Sequence, residues 1–355
     1  MRASCCVGRV GALAVGLGIG VAFAVSQSGS AAADSTAASP GVSAGQSAPG
    51  PEKAAAQRRS AARSAPAAAA PAAGRVASPA SDPARRTATA SRPDPELGAY
   101  DASTASRGFV VHDANSWAVY YGVADADQAA QIVQTMADTL TTDYGLRAAE
   151  AGVPRYPQIV SPFISSFSLP ANYLAGRPDL ATQQMLATWG YMVDTDAGST
   201  TWERINLPGG NLAGTIPYLF GDSASHAWST GATSSLSDYV LGITPTSVAY
   251  RTWQVKPFPV GLTFAQGRVP TTAGAIASRW ELGEDAFRIT VEAPDGTSGT
   301  VAVPTLGSSR VIFRDGVEVW DGTAGVGGID AVATADGYVA FRNVTGTHTW
   351  AWSSP

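Results

Sequence analysis

The sequence predicts an α+β chain in which helical hairpins precede an antiparallel β-sandwich, the two set behind a low-complexity linker. Three observations carry that expectation. Apolar residues recur at a 3.6-residue period between about 112 and 243, the period changes to two after Pro245, and composition changes abruptly near Ser106. These periods are those of a helix face and of a half-buried strand.

The chain opens with Arg2 and Arg9, an uncharged apolar run from Val10 to Val25, and Ala31-Ala32-Ala33. A short positive region, an apolar stretch shorter than a spanning helix needs and a small-residue site form a secretory pattern, with cleavage expected after Ala33. The glycines at 11, 16, 18 and 20 and the shortness of the run argue against an uncleaved anchor. Both cysteines, Cys5 and Cys6, precede that run, so the mature chain is expected to have no thiol. Disulfides, thiolate catalysis and Cys-ligated zinc drop out with them. An extracellular location follows as the expectation.

From Asp34 to Ser106 the residues are almost wholly Ala, Ser, Pro, Thr, Gly and Arg. Such a segment has too little apolar bulk to offset its ordering entropy and predicts a disordered linker. Residues 107–355 hold 13 Lys/Arg against 22 Asp/Glu. A folded part that acidic is a poor partner for nucleic acid. The expected bounds are therefore 1–33 for the signal peptide, 34–106 for the linker, 107–246 for a helical domain and 247–355 for the β-sandwich.

Within the helical part, Asp125-Ala126-Asp127-Gln128 has capping-box spacing, and Ala129, Ile132, Val133, Met136 and Leu140 fall on one face. Ser161 to Ala175 predicts a second helix that Pro170 bends or ends. Pro178 opens a third, stacking Met185, Leu186, Trp189, Met192 and Val193. A fourth is expected from Ser225 to Ile243, bearing Trp228, Ala232, Leu236, Tyr239 and Val240. Short loops between helices imply antiparallel hairpins. After Pro245, Phe287, Ile289 and Val291 alternate, as do Val311 and Phe313; Asp315-Gly316 marks a hairpin turn before Val317 and Val319. The segments 338–341 and 347–352 complete a sandwich pattern.

Two polar runs interrupt aromatic context: Thr200-Thr201-Trp202-Glu203-Arg204 and Ser223-Ala224-Ser225-His226-Ala227-Trp228-Ser229. A carboxylate beside a tryptophan suits glycoside chemistry, because the ring stacks on the C–H face of a sugar while the carboxylate handles a proton. A structural role is open to the same residues: Glu203 paired to Arg204 or Arg251, His226 buried and satisfied. The histidines at 112, 226 and 348 have no metal-ligand spacing, so no metal or cofactor is expected. No phosphate-binding glycine loop and no G-x-S-x-G elbow occurs.

The run Ser161-Pro162-Phe163-Ile164-Ser165-Ser166-Phe167, Thr201-Trp202-Glu203, Ser225 to Ser229, Leu241-Gly242-Ile243-Thr244-Pro245 and Trp253 to Pro259 occurs in a telling order. So does Gly261-Leu262-Thr263-Phe264-Ala265-Gln266-Gly267. This ordered set resembles the bacterial α-L-rhamnosidases of glycoside hydrolase family 78 over nearly everything from Phe109 to Pro355. The resemblance implies hairpins of an incomplete (α/α)6 toroid ahead of the sandwich, and inverting hydrolysis of terminal α-L-rhamnosides. Glu203 would match the general base, His226 a residue holding sugar hydroxyls, and Trp202 and Trp228 apolar walls.

Inversion needs two carboxyls roughly 6.5 to 9.5 Å apart. The family's acid sits in an Asp-x-x-Arg-x-Glu run, which this sequence does not contain. Asp222 is the nearest alternative. About five of twelve toroid helices are countable, so the expectation is the C-terminal half of such an enzyme, without its general-acid segment. A non-catalytic, secreted carbohydrate-binding or structural protein is the alternative. Apolar faces such as Ile132/Met136/Leu140 and Leu186/Trp189/Val193 further predict self-association or pairing with a separately encoded half.

Overall fold

The computed structural model describes residues 93–103, 106–153, 156–195, 200–207 and 222–353. The expected signal peptide and residues 34–92 of the expected linker lie outside them. The fold nevertheless begins ahead of Arg107. Strand β1 (Asp101–Ser103) pairs antiparallel with β2 (Ser106–Val110), and Ala99 and Tyr100 are buried with Val110 and Ile132. Asn115 explains this early start, since its Oδ1 accepts from the Tyr100 N–H at 2.7 Å and its Nδ2 donates to the Tyr100 carbonyl at 3.0 Å. That anchor is distant in sequence, and local composition does not reveal it.

Helix α1 (His112–Tyr120) packs beside α2 (Ala126–Leu140). The expected capping box starts α2: Asp125 accepts from the Gln128 N–H and the Gln128 side chain accepts from the Asp125 N–H. Its apolar stripe is already covered inside this chain, for Ile132, Met136 and Leu140 are fully buried. Short strands β3 (Thr141–Thr142), β4 (Gly145–Leu146) and β5 (Ile159–Val160) lead to α3 (Pro162–Leu174). Pro170 neither ends this helix nor faces solvent; it is buried one turn before the helix stops.

Helix α4 (Pro178–Met185) runs through a π-helical turn (Leu186–Gly190) into α5 (Tyr191–Thr195). Trp189 here is fully buried, and Leu186 and Val193 pack against the core, so the second face expected to seek a partner is covered as well. Strand β6 (Ile205–Asn206) pairs with β5. The expected fourth helix is shorter than its apolar pattern. A 3-10 turn (Ala227–Ser229) precedes α6 (Gly231–Ser235), which ends in a π-helical turn (Leu236–Val240), and Ile243 belongs to the first sandwich strand.

A buried polar network ties the helices. His112 Nε2 meets Ser168 Oγ at 2.9 Å, Gln184 Nε2 donates to the same hydroxyl at 2.7 Å, and Asn172 Nδ2 donates to Gln184 Oε1 at 3.3 Å. Burial lowers the His112 pKa to about 3, because an imidazolium there would be stripped of water.

The sandwich comprises β7 (Ile243–Pro245), β8 (Thr252–Val255), β9 (Phe264–Thr271), β10 (Gly274–Leu282), β11 (Ala286–Glu292), β12 (Ser298–Pro304), β13 (Ile312–Arg314), β14 (Val317–Trp320), β15 (Ala331–Ala333), β16 (Tyr338–Val344) and β17 (Thr347–Ser353). One sheet has the order β14-β13-β17-β11-β10-β9 and the other β15-β16-β12-β8-β7. Pairing is antiparallel except between β8 and β12, which are parallel. Phe287, Ile289 and Val291 point inward as their alternation predicts. Val311 and Phe313 do not: Ile312 between them is buried and both are exposed. Three consecutive apolar residues leave the register open, and a one-residue slip turns every side chain over. Asp315 and Gly316, both at positive φ, form the expected two-residue turn between β13 and β14.

Helices and sandwich share one core. Trp280 Nε1 donates to the Val240 carbonyl at 2.9 Å, and Tyr173, Tyr239, Phe258 and Tyr338 form a run of ring contacts from α3 to β16. Close approach is obligatory at two glycines. A Cβ on Gly242, at φ +91°, would lie 2.5 Å from the Lys256 carbonyl carbon, and one on Gly231 would lie 2.1 Å from Ser166 Oγ and 2.5 Å from Ser166 Cα. Gly231 thus lets α6 lie directly on α3.

Candidate functional site

The two polar runs singled out in the sequence lie side by side. The Glu203 N–H donates to the Ser223 carbonyl at 2.9 Å, and the His226 N–H donates to the Thr201 carbonyl at 2.7 Å. Thr201 Oγ1 adds a bond to the His226 carbonyl at 3.0 Å. Residues 201–203 and 223–226 therefore run antiparallel as a short irregular ladder, which brings Glu203 and His226 onto adjacent backbone. Sequence spacing alone leaves that pairing open, since the two segments are some 20 residues apart.

Glu203 is half-buried, and its Oε2 accepts from the Ser223 N–H at 2.9 Å. Oε1 has no hydrogen-bond partner among the described residues. Neither Arg204 nor Arg251 is its ion-pair partner. Arg204 turns to Asp222 instead, with Nε 2.7 Å from Oδ2 and Nη2 2.6 Å from Oδ1. Both Asp222 oxygens are occupied by one guanidinium, and the side chain is only 7% exposed. A two-point, charge-assisted pair of this kind is shorter and stronger than a neutral hydrogen bond. Asp222 therefore pins the ladder, both of its oxygens being engaged by Arg204 rather than left for the acid's role.

The two tryptophans separate. Trp202 is fully buried, packed in the core with its ring edge-on to Tyr191 at 5.8 Å. It cannot be the sugar wall that the resemblance implies, because both ring faces are inside the protein. Its neighbour Glu203 is only half-buried. Trp228 is the opposite case, with 68% of its surface exposed. Its turn is fixed from beneath, where buried Trp189 Nε1 donates to the Ser229 carbonyl at 2.7 Å. The His226 and Trp228 rings lie 6.5 Å apart.

Further rings adjoin this pair. Trp228 lies 5.1 Å from Phe163, which lies 5.5 Å from Phe167 on the next turn of α3. Their i, i+4 spacing was visible in the sequence, but which way that face points depends on α6 crossing at Gly231. Among the described residues no group of three or more His, Asp or Glu is placed to hold a metal ion.

Residues 242–314 match the bacterial alpha-L-rhamnosidase C-terminal domain, a match that starts where β7 enters the sandwich. An alpha-L-rhamnosidase of Streptomyces avermitilis is 28% identical over 171 residues, which cover 44% of this chain and 16% of that protein. One from Formosa agariphila is 28% identical over 126 residues, covering 35% of this chain and 13% of the relative. The chain thus spans under a fifth of the length of either. Among solved structures, the α-L-rhamnosidase of Dictyoglumus thermophilum superposes with a TM-score of 0.54 at 17% identity, covering 69% of this chain and 25% of that one. The Streptomyces avermitilis enzyme complexed with L-rhamnose gives 0.50 at 21% identity, covering 68% and 21%. These two likenesses establish the fold. In sequence, most clearly over residues 242–314, and in fold, this chain is similar to a partial C-terminal region of an α-L-rhamnosidase.

Proposed function

We propose that this chain is a secreted, rhamnosidase-like protein that recognises terminal α-L-rhamnosyl groups through Glu203, His226 and Trp228. The observation that carries the reading is the ladder joining Thr201–Glu203 to Ser223–His226, because it puts half-buried Glu203 and His226 on adjacent backbone segments, with the exposed Trp228 ring 6.5 Å from that of His226. Relatives of this kind include one solved with L-rhamnose bound, which supports a rhamnoside as the ligand class. Export rests on the N-terminal pattern of Arg2, Arg9, the apolar run and Ala31-Ala32-Ala33.

In this reading Glu203 is the base of an inverting reaction. One of its oxygens is oriented by the Ser223 N–H, leaving the other to take a proton from water. His226 holds sugar hydroxyls, and the Trp228 face stacks on the sugar's C–H surface. The acid is the missing partner within these 355 residues: no Asp-x-x-Arg-x-Glu run occurs, and Asp222 is held by Arg204. That observation favours binding with little hydrolysis when the chain acts by itself. On an aryl α-L-rhamnoside, turnover should fall below that of full-length relatives by roughly 10²- to 10⁴-fold, the usual contribution of a general acid. Turnover at ordinary glycosidase rates, lost in Glu203→Gln, would show that a second carboxyl of this chain acts as the acid.

A further inference from the structure

The rings beside Trp228 continue away from Glu203. Phe167 makes edge contacts at 5.9 Å with both Trp117 and Tyr120 of α1, and Tyr120 lies 4.9 Å from Tyr121. Trp117 and Tyr120 of α1 thus meet Phe167 of α3 edge-on across neighbouring helices, and Tyr121, the C-cap residue of α1, adjoins Tyr120. The result is a ribbon of rings whose far end is open: Trp117 is 39% and Tyr121 54% exposed. Ring-to-ring steps along it run from 4.9 to 5.9 Å.

We propose that this ribbon is a glycan track, in which Trp228, Phe163 and Phe167 lead from the terminal-sugar site to a remote subsite at Trp117 and Tyr121 for the next sugars of an uncharged oligosaccharide. The proposal extends the rhamnoside reading above and rests on it for the position of the terminal sugar. Three features select a glycan over a protein surface as the occupant. The ribbon is continuous with the candidate sugar site through the His226–Trp228 contact. Its exposed members are flat rings, which suit C–H stacking by sugars. The residues near Trp228 in the chain, Ser225, His226 and Thr230, all carry hydrogen-bonding side chains. Successive ring contacts also hold each ring by its neighbour, so little side-chain freedom is lost on binding.

The test uses the full mature chain, L-rhamnose as the single-sugar probe and a linear α-rhamnan oligosaccharide of four or more residues as the long one. Calorimetry should show the oligosaccharide binding more tightly than the monosaccharide. Trp117→Ala and Tyr121→Ala should each weaken the oligosaccharide about two- to tenfold, the scale of one aromatic contact, and leave L-rhamnose binding unchanged. Acrylamide quenching of tryptophan emission should fall when the oligosaccharide is bound. Because both residues are exposed, unaltered circular dichroism and melting should accompany the variants. If L-rhamnose binds but the longer probe gains nothing, or neither variant affects it, the track is wrong while the terminal-sugar site stands. If the oligosaccharide binds through Trp117 and L-rhamnose does not bind, the track stands and the terminal-sugar reading fails. Dimerisation of the wild type that either variant abolishes would show the ribbon to be a protein interface and overturn the proposal.

Discussion

Replacing Arg204 by Met should destabilise the protein by about 3 kcal/mol. The replacement keeps the length of the apolar stem and removes the guanidinium that holds both oxygens of Asp222. The Asp222 side chain is 7% exposed, so the loss leaves a carboxylate with little access to water; breaking a fully buried pair costs roughly 3–5 kcal/mol, and the partial exposure of Arg204, at 30%, places this pair at the lower end. Asp222→Asn is the informative counterpart. It orphans the better solvated partner, so the cost should be smaller, roughly 1–2 kcal/mol. The double variant Arg204→Met/Asp222→Asn should be more stable than the sum of the single losses by about 2 kcal/mol, because the two groups are in direct contact. Urea unfolding followed by tryptophan emission reads all four proteins, and the Arg204→Met loss corresponds to a melting shift of roughly 6–12 °C at this chain size. A loss below about 0.5 kcal/mol for Arg204→Met would place the pair among exposed ion pairs and refute the idea that it pins the ladder.

Two further stability tests follow. His112 is neutral in the folded protein because its pKa falls to about 3, whereas unfolding restores the ordinary value near 6.5. Below that ordinary value the unfolded state binds an extra proton, so stability should fall by about 1.4 kcal/mol per pH unit down to about pH 3, and His112→Gln should flatten the urea midpoint over that window. Gly231→Ala should cost roughly 1–3 kcal/mol or more, since the new methyl meets backbone Cα of Ser166 at 2.5 Å and α6 must lift from α3; an unchanged melting temperature would show that the crossing has slack.

What was legible in the sequence was local. The Asp125 capping box, the inward set Phe287/Ile289/Val291 and the Asp315-Gly316 turn depend on neighbours within a few residues, and each stands in the structure as its pattern predicts. The misses have a common physical origin in partners distant along the chain. Asn115 draws Tyr100 into the fold, Arg204 chooses Asp222 over Glu203, and the core takes Trp202 while leaving Trp228 outside. The faces of Ile132/Met136/Leu140 and of Leu186/Trp189/Val193 looked unpartnered because their covering helices and strands cannot be assigned from periodicity. The same ambiguity reversed Val311 and Phe313, where three apolar residues in a row offer two registers.

Glu203 and His226, on adjacent backbone of the ladder, are proposed to form one rhamnoside-recognising site. The most direct test is a calorimetric titration of the chain produced without residues 1–33 with L-rhamnose, repeated for His226→Ala and Glu203→Gln, with L-fucose as the mismatched sugar. L-Rhamnose should bind saturably, weaken about two- to tenfold in His226→Ala, the scale of a lost hydrogen bond, change less in the isosteric Glu203→Gln, and bind more tightly than L-fucose. No saturable binding, or binding indifferent to both substitutions in proteins that still melt like the wild type, would contradict it.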